Sequence, residues 1–325
     1  MVDQNIQTGI PASGPAPINR DKRAPSAVSY ITGGLVYGVV YPTIRLLNRF
    51  GLAGPIIRQM DKSQSDRRFE TFGDYQPDEH DVVIATYFKS GTNWSMQIAH
   101  QIAWRGKATY EHIHDVIPWP DSILPNYAVD VHDRSLLQSS PTGLRIIKSH
   151  LNWELIPYNE RARYITVIRD PKDVCVSSYH FFHDLGLDYL APSVSSWLDN
   201  FLSPDFQQGG PWGKYVAEYW AQRHKPNVLI LSYKTMKKDL PGTVDQIAKF
   251  MGVELSPDEF KSICEQSTFQ YMKSIDHKFS PGIIVPWRMK STQIMRSGKH
   301  GGSSELLTVE QQKRIDAHFQ AEFKK

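Results

Sequence analysis

Four short apolar runs limit what this chain can fold into. They lie at residues 82–88, 144–147, 164–168 and 228–231. Within each run the apolar residues are contiguous rather than alternating, a pattern that suits a strand buried on both faces. Helical spacing fills the intervals. Trp212, Tyr215, Val216, Tyr219 and Trp220 recur along one stripe, which reads as core, and Leu240, Val244, Ile247 and Met251 recur along another. Two helix starts are also legible. Ser256-Pro257-Asp258-Glu259 joins a capping box to a proline at the first helical position, and Thr308 and Gln311 frame a second box. Strands alternating with helices predict an α/β fold: a doubly wound sheet of mainly parallel strands with helices on both faces.

In such a sheet, ligands bind beyond the carboxyl ends of the strands. The first run is followed by Lys89-Ser90-Gly91-Thr92, and the second ends in Lys148-Ser149-His150. The third passes into Arg169-Asp170-Pro171-Lys172, and the fourth into Ser232-Tyr233-Lys234. A cation at each exit predicts a polyanionic ligand. A Lys-Ser-Gly-Thr turn between strand and helix can wrap backbone N–H groups around a phosphate, with Gly91 allowing close approach and Lys89 adding a mobile charge. The turn is P-loop-like but not a Walker A sequence, because Lys89 precedes Gly91 and the spacing glycines are absent. Asp170, Pro171 and Asp173 start a helix well, with Arg169 just before it. Ser177 lies two turns along on the same face, so Arg169 and Ser177 can hold a second phosphate.

Composition narrows the class. The chain has 325 residues and a formal charge of +3, too mild to argue for nucleic acid. Its two cysteines, Cys175 and Cys264, indicate no disulfide framework and point to a reducing, cytoplasmic setting. Residues 1–23 are polar and rich in Pro and Gly, and read as a disordered lead. Residues 24–44 carry no charge, but their glycines, prolines and tyrosines favour a surface segment or peripheral membrane contact over a span. We therefore expect an N-terminal extension at 1–75 and one domain at 76–325.

Taken together, "YFKSGTNW", "KSHL", "RDPKDVCVSSYHFF" and "RSGKHGG" resemble the signatures of the cytosolic-type sulfotransferase family, in order and spacing, over about residues 76–325. The resemblance implies transfer of a sulfuryl group from 3'-phosphoadenosine 5'-phosphosulfate (PAPS) to a hydroxyl or amine, with no metal. It implies that Lys89, Ser90, Gly91, Thr92 and Asn93 cradle the 5'-phosphosulfate and that Trp94 stacks on adenine. Arg169 and Ser177 would hold the 3'-phosphate together with Arg296, Ser297 and Gly298 of a late loop. Tyr233 and Ser267 would reach the adenine edge, Lys148 would lie near the sulfuryl oxygens, and His150 would be the general base. The chain departs from the family at Phe88, where proline is usual, at Asn93, where threonine is, and at Ser297, where a cation is, with Lys299 two residues on. Thr308 and Val309 remain of the family's dimer motif, which leaves a monomer or a homodimer.

The acceptor reads less clearly. Residues 117–130 and 180–193 are aromatic, apolar and loop-like, which predicts a small, partly apolar hydroxylated acceptor. His112 with His114, and His180 with His183, lack a third ligand at matching spacing, so no metal is expected. Two other readings stay open: a nucleotide or nucleoside kinase-like transferase, and a non-catalytic nucleotide-binding protein.

Overall fold

The computed structural model describes residues 31, 34–50, 71–122, 127–187, 193–204, 206, 210–281, 293–296, 298 and 301–324. The expectations placed on residues 1–23 and 24–30, on Ser297 and on Lys299 lie outside these.

A π-helical turn, Val36–Val40, leads into α1 (Tyr41–Arg49). The domain then opens with β1 (Asp81–Ala85) and α2 (Thr92–Ala103). After α3 (Ser135–Ser139) come β2 (Arg145–Ser149) and β3 (Arg163–Ile168). Next are α4 (Pro171–Asp184), α5 (Val194–Phe201), α6 (Trp212–Ala221) and β4 (Val228–Ser232). The chain continues through α7 (Tyr233–Lys238), α8 (Leu240–Met251), α9 (Pro257–Gln266) and α10 (Phe269–Ser274), and α11 (Val309–Glu322) is the last helix. The expected boxes cap α9 through Ser256 and Glu259 and α11 through Thr308 and Gln311.

All described strand pairs are parallel, in the order β2-β1-β3-β4. The chain winds from β1 to β2 on one side and then to β3 on the other. The carboxyl end of β1 is therefore where the winding reverses, the place where such sheets form a crevice. Alternate residues serve opposite faces. Val83, Ala85, Ile147 and Tyr164 pack with the apolar residues of α4, α5, α6 and α11. Val82, Ile84, Ile146, Ile165 and Val167 pack with those of α2, α7, α8, α9 and α10. Both faces are covered, as contiguous apolar strands require.

Three details differ from the sequence expectation. β1 ends at Ala85 rather than at residue 88, because Thr86 to Phe88 turn off the sheet: Tyr87 is buried, with its hydroxyl donating to the Gly210 carbonyl at 2.8 Å. β2 contains Arg145 and Lys148 within the strand, both buried, so Lys148 belongs to the sheet and not to a turn after it. The aromatic stripe of α6 buries Trp212, Tyr215 and Tyr219 but leaves Trp220 exposed, one helical step off the core face.

Arg145 anchors the end of the sheet remote from the crevice. Its Nε donates to Asp81 at 2.8 Å, its Nη1 to the Asp133 carbonyl at 2.8 Å, and its Nη2 to the Tyr75 hydroxyl. Asp81 also accepts from the Tyr75 hydroxyl and from the Asp78 N–H. Removing one member of a buried ion pair strands the other charge, which costs about 3–5 kcal/mol. Arg145→Leu is expected to lower unfolding free energy by about that amount in denaturant titration. Nucleotide affinity of the folded fraction, read by calorimetry, should stay unchanged.

Candidate active site

The turn that leaves β1 is built under strain. Lys89 has φ 62°, the left-handed region, and Gly91 has φ 105°. A lysine held there costs about 1–2 kcal/mol. The guanidinium of Arg169 donates to the Lys89 carbonyl at 2.7 Å, and a charged hydrogen bond of this kind contributes about 1.5–3 kcal/mol, enough to offset the strain. Glycine is required at position 91, since a Cβ there would lie 3.0 Å from the Tyr233 ring. Helix α2 starts at this turn with Gly91 as its N-cap and no side-chain cap. The first N–H groups of a helix need acceptors from outside it, and an anion supplies them well.

A cavity of about 1070 Å³ opens over this turn at the carboxyl ends of the strands. Lys89, Lys148, His150, Arg169 and Arg296 all line it, together with Gly91, Thr92, Asn93, Trp94, Ser177, Tyr233 and Gly298. Ser90 and Ser267 are buried behind its wall, and the Oγ of each has no hydrogen-bond partner. Ser297 lies outside the described residues.

Positive charge is crowded here. The Lys89 ammonium sits 4.1 Å from the centroid of the Phe181 ring. Burial, with Arg169 as the nearest like charge, pulls its pKa down to about 8. Lys148 lies 3.3 Å above the Trp119 ring and 3.5 Å from His114 Nε2. Burial takes it lower, to about 7, although the Asp121 carboxylate opposes the shift. Burial thus weakens the hold of both lysines on their protons. Cations destabilised by one another at an uncapped helix start suit a phosphate or sulfate group.

Aromatic groups form one end. The indole N–H of Trp94 donates to the Ser267 carbonyl at 2.7 Å, and its ring meets Tyr233 edge-on at 5.9 Å. Arg169 lies 4.5 Å over the Tyr233 ring. Gly298 closes this end: a Cβ on it would come within 2.4 Å of Phe269, so the late loop fits only with glycine. The Asp173 carboxylate holds that loop to α4 by accepting the Gly301 N–H at 2.9 Å. Arg296 is shared with Glu305, at 3.3 Å.

His150 also lines the cavity. Its Nδ1 lies 2.8 Å from the Thr86 carbonyl, which can only accept. Nδ1 therefore carries the proton and Nε2 is the basic nitrogen. Its backbone N–H donates to Asp121 Oδ2 at 2.7 Å, and Trp119 packs edge-on at 5.6 Å. Beyond it the cavity is apolar, walled by Phe88, Trp119, Tyr127, Leu151, Phe182 and Leu185. Both segments expected at the acceptor mouth contribute to this wall.

Sequence reading did not single out Asp121 or the position of His114. An acidic residue inside an otherwise apolar loop was the available signal for Asp121. His112 and His114 make pairwise contacts: His112 Nε2 faces the Ser280 carbonyl at 3.0 Å and His114 Nδ1 the Ile117 carbonyl at 3.0 Å. Among the described residues, no group of three or more His, Cys, Asp or Glu gathers as a metal site.

The sulfotransferase domain model matches residues 79–325. Sulfotransferase 2A6 of Rattus norvegicus is 32% identical over 249 residues, covering 74% of this chain and 84% of the relative. The crystal structure of mouse sulfotransferase SULT7A1 complexed with PAP aligns with a TM-score of 0.61 at 25% identity, over 80% of this chain and 89% of that one. Retinol dehydratase in complex with retinol and PAP shares the fold, with a TM-score of 0.63 at 22% identity, over 80% and 85% of the two chains. The chain belongs to the sulfotransferase family. It is an α/β enzyme that transfers a sulfuryl group from PAPS.

Asp121 raises the pKa of Lys148, so neutralising it lets that pKa fall below about 7. Asp121→Asn keeps an acceptor for the His150 N–H but is expected to reduce kcat/KM about tenfold at pH 8 and much less at pH 6, since the ammonium survives at low pH. A pH–rate profile of both proteins checks the sign.

Proposed function

We propose that this enzyme sulfates the hydroxyl of a small, partly apolar acceptor, with His150 as general base and Lys89 and Lys148 as the charge-stabilising groups. The observation that carries the proposal is the juxtaposition, in one cavity, of a basic imidazole nitrogen with clustered buried cations and an apolar wall. The His150 tautomer is held by a backbone carbonyl, which aims Nε2 for proton abstraction. Amine acceptors suit the same geometry when unprotonated.

The donor half follows from the residues present. The N–H groups of Gly91, Thr92, Asn93 and Trp94, with the Ser90 hydroxyl and Lys89, form the cradle for the 5'-phosphosulfate. Arg169, Ser177, Arg296 and Gly298 hold the 3'-phosphate, and Ser297 belongs to the same loop. Trp94, Tyr233 and Ser267 frame the adenine, and the unsatisfied Oγ atoms of Ser90 and Ser267 suit polar ligand edges. PAPS supplies the sulfuryl group. His150 removes the acceptor proton as the new O–S bond forms, while Lys89 meets the charge that grows on the departing phosphate oxygen. Lys148 balances the sulfuryl oxygens, and its lowered pKa makes that role sensitive to pH.

The family match at 79–325 supports a catalytic domain at 76–325 preceded by an extension at 1–75. Free thiols at Cys175 and Cys264 support a reducing, cytoplasmic setting. Peripheral membrane contact through residues 24–44 belongs to the same reading. Among the described residues, no helix is long and apolar enough to cross a membrane.

Two substitutions test the assignment. His150→Ala is expected to lower turnover about 10²–10⁴-fold while leaving PAP affinity intact, and a near-normal rate would remove His150 as base. Arg169→Lys loses the fork that can grip a phosphate and is expected to weaken PAP binding more than tenfold in calorimetry. Equal affinities would remove Arg169 from the donor site.

A further inference from the structure

The helical segment ahead of the domain carries apolar side chains that the fold leaves in solvent. Ile31, Leu35, Val39, Leu46 and Phe50 are each 56–72% exposed. Leu46 and Phe50 share a face of the helix four residues apart, and Ile31, Leu35 and Val39 precede them at the same step of four. Ile44 is buried and Val40 and Leu47 are half-buried, off the line of the exposed residues. A Cβ built on Gly34 or Gly38, beside the stripe, meets nothing within 4 Å among the described residues. The stripe is thus a second apolar surface, separate from the side by which the helix is covered.

Charge says what the stripe fits. Arg45 and Arg49 flank it one turn apart, with Arg45 5.5 Å over the Tyr41 ring. Between Asp21 and Asp61 the chain has no Asp or Glu, while Lys22, Arg23, Arg45, Arg49 and Arg58 are all cationic. A protein partner that recognised the stripe by apolar contact alone would not need a 39-residue stretch free of acidic residues. A negatively charged lipid surface does: acyl chains take the apolar stripe, headgroups take the arginines, and any carboxylate there would be repelled. The helix is too short to cross a bilayer but long enough to lie along its surface.

We propose that the π-helical turn, α1 and the residues that flank them dock flat on an anionic membrane through Ile31, Leu35, Val39, Leu46 and Phe50, with Arg45 and Arg49 reaching the headgroups. This deepens the peripheral contact in the reading above and extends it past residue 44 to Phe50. Thr71, which lines the catalytic cavity, follows Phe50 by 21 positions in the chain.

The test is sedimentation of the full chain with sucrose-loaded vesicles of phosphatidylcholine, with or without phosphatidylserine. The wild-type protein is expected to sediment with the anionic vesicles at least tenfold more than with neutral ones. Leu35→Asp/Leu46→Asp should abolish sedimentation, and Arg45→Gln/Arg49→Gln should remove the preference for phosphatidylserine. Calorimetric PAP affinity, measured on every variant, should remain at the wild-type value, because none of these residues lines the cavity. Three results would overturn the proposal: wild-type protein left in the supernatant with both vesicles, a Leu35→Asp/Leu46→Asp protein that sediments like wild type, or a stripe-dependent dimer in analytical ultracentrifugation without vesicle binding. Loss of PAP binding by the wild-type protein would count against the donor site and not against the stripe.

Discussion

Concentrated positive charge at the exit of β1 is the constraint on which the rest depends. Burial lowers the pKa of Lys89 and of Lys148, and like charge adds to it, from Arg169 on Lys89 and from Lys89 on Lys148. A fold tolerates such crowding when it supports function, and here it supports binding a substrate with several negative groups. The strained Lys89 backbone, the uncapped start of α2 and the Arg169 bond to the Lys89 carbonyl are parts of one local solution. The sheet makes it available, because its winding reverses at β1 and leaves the crevice open there.

Chemistry then divides along the cavity. Rings and glycine-limited contacts at Trp94, Tyr233, Phe269 and Gly298 suit a flat purine end. His150 and the apolar wall suit the acceptor end. The two lysines line the same cavity, and in the proposed reading they stabilise the charge that sulfuryl transfer develops. Asp121 joins these parts by accepting the His150 N–H and opposing the shift of Lys148.

Legibility followed the range of the interaction. The buried strands, the capping boxes and the turn after β1 depend on residues near each other in sequence, and contiguous apolar runs, Ser/Thr–Glu/Gln spacing and Gly91 announced them. The end of β1 was misjudged by three residues because Tyr87 and Phe88 are apolar for another reason: they leave the sheet and pack in the core beside it. Trp220 looked like core by its type, yet one helical step moves it to solvent. Lys148 was expected at a strand exit and lies within β2.

By itself the sequence determined the fold class, the helix caps and the glycine turn after β1, because backbone propensity and local spacing act over a few residues. Only the tertiary structure decided which groups share the cavity and how they are charged. Asp121 lies 29 positions from His150, and Gly301 lies 128 from its partner Asp173. No periodicity spans such separations, and a pKa is set by what folding brings near a group and by the water it removes.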